Sequence, residues 1–86
     1  MADYSITFAR SARKELEALS NPQLQRIFSR IESLADLPRP SGCKKLRGSD
    51  GLWRIRIGDY RVIYSVDDNF NVVDIISVRH RSQAYD

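Results

Sequence analysis

Residues 53–64 constrain the fold of this chain more than any other stretch. Apolar residues alternate with arginines over residues 53–57, and a second run of strand-forming residues covers residues 60–64. A period of two is typical of a β-strand with one buried face. Gly58 and Asp59 separate the two runs, and a glycine at the first central position suits a type I′ or II′ turn. The sequence therefore predicts a tight β-hairpin.

A two-residue loop also predicts which hairpin residues lie opposite each other. Cross-strand partners share a face of the sheet, so one face is apolar and the other is cationic. Like charges placed opposite each other destabilise a sheet, so a use in binding a polyanion explains the cationic face better than folding does. The predicted pairs are Ile57 with Tyr60, Arg56 with Arg61, and Arg54 with Ile63.

Size and composition indicate one small domain over residues 1–86. The chain is 42% hydrophobic and 29% charged, which is ordinary for a folded, water-soluble protein. Its single cysteine, Cys43, excludes an internal disulfide and a multi-cysteine zinc site. The sequence contains neither a transmembrane-length apolar run nor a signal-like segment, so we expect a cytoplasmic, reducing compartment and no membrane partner.

The formal net charge of +3 hides a marked asymmetry. Residues 1–38 contain five basic and five acidic groups, whereas residues 39–61 contain seven basic and two acidic groups. A basic half joined to a neutral half indicates an acidic partner such as nucleic acid, although a high basic content is also common among small proteins. The local clustering favours a functional patch.

The remaining elements follow from periodicity and from helix and turn signals. Residues 4–8 predict a first strand, and an amphipathic helix follows from about Ala9 or Ser11 to Ser20. Asn21-Pro22 begins a second helix, which Leu37-Pro38 ends. Residues 43–46 are a candidate short strand, and residues 72–78 form an apolar run typical of a central strand covered on both faces. The predicted fold is α+β in the order β-α-α-β-β-β, an antiparallel-rich sheet with an N-terminal helical hairpin on its apolar face.

The C-terminal segment contains the remaining groups that can carry chemistry. His80 is the only histidine and stands between Arg79 and Arg81, with Tyr85 four residues further on. Histidine is the side chain whose ordinary pKa lies nearest neutrality, and a tyrosine can stack on an unpaired base. A lone histidine near a chain end is also commonly an exposed bystander, and both interpretations stay open here.

Arginine is suited to binding phosphate but not to accepting a proton. Its planar fork of donors matches phosphate oxygens, and it does not readily lose its charge. If the ligand is RNA, the 2′-OH can attack the adjacent phosphorus while cations stabilise the phosphorane. Lys44, Lys45 and Arg47 precede the arginine strand, and phosphate contact and simple solvation are equally good explanations for them. The sequence has no acidic pair, Cys-His pair or metal cluster, so we expect no metal and no cofactor.

The chain resembles the RelE/ParE toxin superfamily, and specifically the RelE-type ribosome-dependent mRNA interferases. The resemblance extends over essentially the whole chain and depends on the order and spacing of several short motifs. These are residues 12–16 (ARKEL), 45–48 (KLRG), 53–56 (WRIR), 59–64 (DYRVIY) and 76–85 (ISVRHRSQAY).

The resemblance implies a toxin of a type II toxin–antitoxin system that cleaves mRNA in the ribosomal A site and is neutralised by a cognate antitoxin in a hetero-oligomer. It implies that Arg54 and Arg56 occupy two basic strand positions and that Arg61 steadies the scissile phosphate. It further implies that Arg81 or His80 is the proton donor and that Tyr85 stacks on the mRNA. Lys44, Lys45, Arg47 and Arg79 are the expected additional RNA contacts.

The chain departs from the family pattern at one point. Archetypal members carry lysines where this chain has Arg54 and Arg56, and a lysine acts as a base more easily than an arginine does. Either His80 takes that role here, or the reaction depends on cation stabilisation and groups of the ribosomal RNA.

Two other functions fit the same resemblance. One is a ParE-like inhibitor of DNA gyrase, which binds without catalysis; the arginine face and the C-terminal histidine, arginine and tyrosine argue against it. The other is a degenerate member that only binds its antitoxin.

Overall fold

The computed structural model describes residues 3–82 as two helices and a five-stranded sheet. The sheet order is β1-β5-β4-β3-β2; β1 runs parallel to β5 and the other neighbours are antiparallel. This confirms the predicted α+β class, and the candidate strand at residues 43–46 becomes a two-residue edge strand. The elements are β1 (Ser5–Phe8), α1 (Arg10–Glu17), α2 (Asn21–Ser33), β2 (Lys44–Lys45), β3 (Leu52–Ile57), β4 (Tyr60–Asp67) and β5 (Val72–His80).

The hairpin of β3 and β4 has the predicted register. Gly58 has a φ of +61°, whereas Asp59 is not among the residues with positive φ, so the turn is of the II′ kind. This turn matches the right-handed twist of its flanking strands and fixes the register. The cross-strand pairs include Ile57 with Tyr60, Arg56 with Arg61, and Arg54 with Ile63.

The helices begin where the sequence indicated, but both end early, and α1 ends at Glu17 instead of near Ser20. Ser20 precedes α2 and Pro22 lies in its first turn, where a missing N–H costs no hydrogen bond. We expected α2 to continue to Leu37, whereas it ends at Ser33. The amide of Leu34 donates to the carbonyl of Ile31, three residues back, so a tight turn replaces the last helical turn.

The core lies between the two helices and one face of the sheet. Ile27 and Ile31 of α2 are fully buried in one cluster with Val62 and Tyr64 of β4 and Ile75 of β5. This confirms that the helical hairpin covers the apolar hairpin face. Full burial of an Ile or Val side chain contributes about 1.5–3 kcal/mol of transfer free energy.

Strand β5 differs from the strand covered on both faces that we expected. Its burial alternates between buried and partly exposed residues, because both helices pack on the same face of the sheet. It is nevertheless an interior strand, paired with β1 and β4. The register with β4 shifts between Ile63 and Tyr64, which leaves Ile76 of β5 as the extra residue of a bulge, and a bulge bends its strand.

Helix α1 supplies hydrogen-bond partners to the backbone of β5 beyond the end of β1. The pairing of β1 with β5 stops at Ile75, and beyond it the hydroxyl of Ser11 donates to the carbonyl of Ile76 at 2.8 Å. Oε1 of Glu15 accepts the amide of Val78 at 2.8 Å. Side chains of α1 therefore replace a neighbouring strand along the part of β5 that leads to His80.

A cluster around Asp68 fixes the loop between α2 and β2. Arg39 donates twice to the Asp68 carboxylate, and the Tyr4 hydroxyl donates to it at 2.7 Å. Hydrogen bonds from Arg39 and then Tyr4 hold the pKa of Asp68 below its usual value. The Arg39 guanidinium also lies 5.1 Å from the centre of the Trp53 ring. Trp53 is half-buried beside the core, as its phase in the strand predicted.

Tyr64 connects the same loop to the centre of the core. Its side chain is fully buried, and its hydroxyl donates to the carbonyl of Pro38 at 2.7 Å. Burial, followed by the nearby Cys43 thiol, raises the pKa of Tyr64. Cys43 itself is half-buried. Within residues 3–82, no helix is both long enough and apolar enough to cross a bilayer.

Candidate nucleic-acid interface

The register places Arg54, Arg56 and Arg61 on the sheet face opposite the helices. Their exposure differs. Arg54 is only 9% exposed, Arg61 is half-buried and Arg56 is exposed. The predicted arginine face therefore exists, and Arg56 is its exposed member.

Arg56 and Arg61 line a pocket of about 210 Å³ at the end of the hairpin, here named the tip pocket. Arg81 lines it too, because its amide donates to the carbonyl of Asp59 at 2.7 Å and so ties the residue after β5 to the hairpin turn. Its Nε lies 3.9 Å from an Asp59 carboxylate oxygen, a long and exposed ion pair that contributes little. The complete lining is Arg56, Gly58, Asp59, Tyr60, Arg61 and Arg81.

A second pocket of about 320 Å³, here named the edge pocket, lies beside the outer edge of β3. Strand β2 pairs only with Trp53 and Arg54, so β3 extends past it towards the hairpin turn. Four of the lining side chains are cationic and none is acidic. Arg56 belongs to both pockets and makes them one continuous basic surface. The edge pocket is lined by Arg30, Ser41, Gly42, Lys44, Arg54, Ile55 and Arg56.

His80 lies on the other face of the sheet. It is opposite Tyr60 in the register, and the two rings meet edge to face with centroids 5.3 Å apart. The amide of Ser82 donates to its Nδ1 at 3.2 Å, and the Ser82 hydroxyl lies 2.9 Å from the same nitrogen. An amide can only donate, so in this geometry Nδ1 accepts and the ring proton is on Nε2. The structure thus separates His80 from the arginines with which the sequence grouped it.

The other predicted RNA contacts are dispersed. Lys44 lines the edge pocket. Lys45 and Arg47 are exposed outside both pockets. Nε of Arg79 forms an ion pair with Glu15 at 3.0 Å, so the charge of Arg79 is already compensated; its side chain is half-exposed. Tyr85 lies outside the described residues.

Sequence reasoning missed two cations, Arg26 and Arg30 of α2. The Arg26 guanidinium lies against the hairpin turn at Gly58, and Arg30 lines the edge pocket. The basic and acidic groups of residues 1–38 cancel in a charge count, so such a count does not reveal these two arginines. Their four-residue spacing places them on one side of α2 and was the available signal.

The residues that the structure describes contain no group of three or more histidine, cysteine or carboxylate side chains placed to hold a metal ion. Apart from the Asp59 carboxylate, the charged side chains that line the two pockets are guanidinium and ammonium groups. These groups bind phosphate oxygens through charge-assisted hydrogen bonds.

Comparison with known proteins gives the family. Residues 6–85 match the model described as the ParE toxin of type II toxin-antitoxin system, parDE. The chain is 31% identical to the putative toxin RelE1 of Methanocaldococcus jannaschii over 85 residues, covering 95% of this chain and 94% of that protein. It is 31% identical to the mRNA interferase toxin RelE of Escherichia coli over 86 residues, covering 95% and 90%.

Among solved structures, the archaeal RelE–RelB complex from Pyrococcus horikoshii contains a chain with the same fold. The TM-score is 0.82 at 31% identity, covering 95% of this chain and 99% of that one. The chain therefore belongs to the RelE/ParE superfamily of toxins of type II toxin–antitoxin systems.

Proposed function

We propose that this protein is a ribosome-dependent mRNA endonuclease that stops translation. The observation that carries the proposal is the tip pocket, where Arg56, Arg61 and Arg81 from three segments surround one space of about 210 Å³. Such a site suits a phosphate on which negative charge increases during reaction. The relative from E. coli is named an mRNA interferase, which supports the same activity here.

The proposed reaction requires only RNA. The 2′-oxygen bonds to the adjacent phosphorus, the bond from phosphorus to the 5′-oxygen breaks, the 2′-OH gives up its proton and the 5′-oxygen gains one. The products are a 2′,3′-cyclic phosphate and a 5′-hydroxyl end. Cationic donors around the phosphate can hold the pentacoordinate phosphorane without a metal or cofactor.

The arginines are proposed to have different roles in the reaction. Arg61 and Arg56 hold the scissile phosphate, and Arg81, whose side chain is exposed, is the candidate proton donor to the departing 5′-oxygen. Arg54, which is 9% exposed, lines the edge pocket. His80 lies across the sheet, so we favour cation stabilisation with a ribosomal RNA group accepting the 2′-OH proton over a histidine base.

The peripheral residues keep their proposed contacts with RNA. Lys44 extends the phosphate path into the edge pocket. Lys45, Arg47 and Arg79 are proposed to contact the RNA backbone further out. Tyr85 is proposed to stack on a base of the mRNA.

We further propose a cognate antitoxin as the partner that silences this surface. The solved relatives from P. horikoshii and E. coli are complexes of RelE with RelB and of RelBE. A concentrated cationic surface is suited to capture by an acidic segment that folds as it binds. The toxin would be stored as a hetero-oligomer and would act in the cytoplasm, where ribosomes and mRNA are.

A ParE-like inhibition of DNA gyrase is the second candidate, favoured by the matching family model, which carries the ParE name. In that case the tip pocket and the edge pocket would have no role in RNA cleavage. Measuring DNA supercoiling and RNA integrity in the same cells separates the two functions.

The test is to induce the toxin briefly without antitoxin and map the 5′ ends of cellular mRNAs. We expect new codon-specific ends within reading frames and unchanged supercoiling. The Arg61→Ala variant should remove these ends and the growth arrest, whereas Arg10→Ala, a matched exposed arginine on α1, should not. A folded Arg61→Ala protein that is fully toxic, or loss of supercoiling with intact mRNA, refutes the proposal.

A further inference from the structure

Helix α2 places two exposed arginines along the border of the basic surface. Arg26 and Arg30 are four residues apart, so they lie on one side of the helix, about 6 Å apart along its axis. Within residues 3–82 neither forms an ion pair with a carboxylate. Structural pairing therefore gives no reason for their position.

Arg26 approaches the hairpin turn closely. Its Nη2 and Nη1 lie 3.1 and 3.2 Å from the point that a Cβ would occupy at Gly58. Only a residue without a side chain leaves that space, and the positive φ of the turn favours glycine there as well. Since Gly58 also lines the tip pocket, the Arg26 guanidinium stands at the rim of that pocket.

Arg30 has the equivalent place at the edge pocket. It lines this pocket together with Arg54 and Arg56 of β3 and Lys44 of β2. Each arginine of α2 thus borders one of the two pockets, and Arg56 joins those pockets. The cations of the sheet and of the helix form two rows with the β3 edge between them.

We propose that Arg26 and Arg30 bind backbone phosphates of the RNA strand on one side of the reacting phosphate. The strand would leave the tip pocket past Gly58 and follow α2 towards Ser41 and Gly42. An interval of one helical turn is comparable with the spacing of successive phosphates, so each guanidinium can hold one. This inference rests on the proposed function for the identity of the RNA, and it assigns Arg26 and Arg30 to binding rather than to catalysis.

The test measures the affinity of the full-length protein for a single-stranded, 2′-O-methylated RNA across a range of salt concentrations. Each phosphate neutralised on a single strand contributes about 0.7 to the slope of log K against log salt. We expect Arg26→Ala/Arg30→Ala to reduce that slope by about 1.4. The Arg26→Lys/Arg30→Lys variant should retain most of it, because lysine keeps the charge.

The matched control is Arg10→Ala/Arg13→Ala on α1, which removes the same charge from exposed positions outside both pockets. Its slope should stay close to that of the wild type. If both double variants give the same slope, the effect is one of net charge and the inference is overturned.

Cleavage on mRNA-programmed ribosomes separates this inference from the proposed function. Arg26→Ala/Arg30→Ala should raise KM with kcat largely retained. If the wild type cleaves and Arg26→Ala/Arg30→Ala has the same KM as the wild type, the inference is refuted and the proposed function is retained. RNA binding that depends on α2 without any wild-type cleavage refutes the function alone. Failure of the wild type to bind the RNA overturns the inference, and cleavage on ribosomes then decides the function.

Discussion

Glu15 should stabilise the end of β5 that carries the C-terminal site residues. Its carboxylate accepts the amide of the buried Val78 at 2.8 Å and pairs with Arg79 at 3.0 Å. A hydrogen bond to a charged group contributes about 1.5–3 kcal/mol. The pair with half-exposed Arg79 adds less than about 1 kcal/mol because solvent screens it.

We therefore expect Glu15→Ala to lower the free energy of unfolding by about 2–3 kcal/mol. For a domain of this size the melting temperature should fall by on the order of 10–20 °C. Alanine is a better helix former than glutamate, so a loss cannot come from α1 itself. Glu15→Gln keeps an acceptor for Val78 and should lose about 1 kcal/mol or less.

The assay is urea unfolding followed by the fluorescence of Trp53, the single tryptophan, which is half-buried beside the core. Glu17→Ala, an exposed position on the same helix, is the control and should change stability by less than about 0.5 kcal/mol. If Glu15→Ala is as stable as Glu17→Ala, the carboxylate does not replace a neighbouring strand and the description of β5 is wrong.

Two further predictions concern His80 and Tyr64. In His80→Asn the amide oxygen can replace Nδ1 as acceptor for Ser82, so ribosome-dependent cleavage should be nearly unchanged, and His80→Gln should lose at most about tenfold, the worth of one hydrogen bond. A loss of about a hundredfold or more in both variants would instead assign proton transfer to His80. Because burial raises the folded-state pKa of Tyr64, its stabilisation is complete below the unfolded-state value of 10.0 and is lost as the pH rises above it. Tyr64→Phe should therefore be less stable at neutral pH but show a shallower loss in alkaline unfolding experiments; an identical alkaline slope would contradict the assigned cause.

The hairpin was predictable because its register depends on local information. A two-residue turn and a period of two determine every cross-strand pair, and the structure has the predicted pairs at all three arginines. Local information of this kind does not predict the face of the sheet on which His80 lies. The face on which His80 lies depends on the bulge at Ile76 of β5 and on the pairing of His80 with Tyr60, and neither can be read from the spacing of the C-terminal residues.

The α2 contribution could not be found from charge counts. Arg26 and Arg30 are cancelled by acids elsewhere in residues 1–38, and only the packing of α2 beside the β3 edge brings them to the pockets. The early end of α2 has a similar origin. The tight turn after Ser33 and the bond from Tyr64 to Pro38 depend on tertiary contacts, whereas Pro38 marked only the latest possible end.

The most direct test of the central claim is cleavage by the purified protein of mRNA bound in programmed ribosomes. We expect fragments with a 2′,3′-cyclic phosphate and a 5′-hydroxyl, and no cleavage when the nucleotide preceding the scissile phosphate carries a 2′-deoxyribose. Fragments with a 5′-phosphate, or cleavage of the deoxy-substituted mRNA at the rate of the unmodified mRNA, would contradict attack by the 2′-OH at the tip pocket.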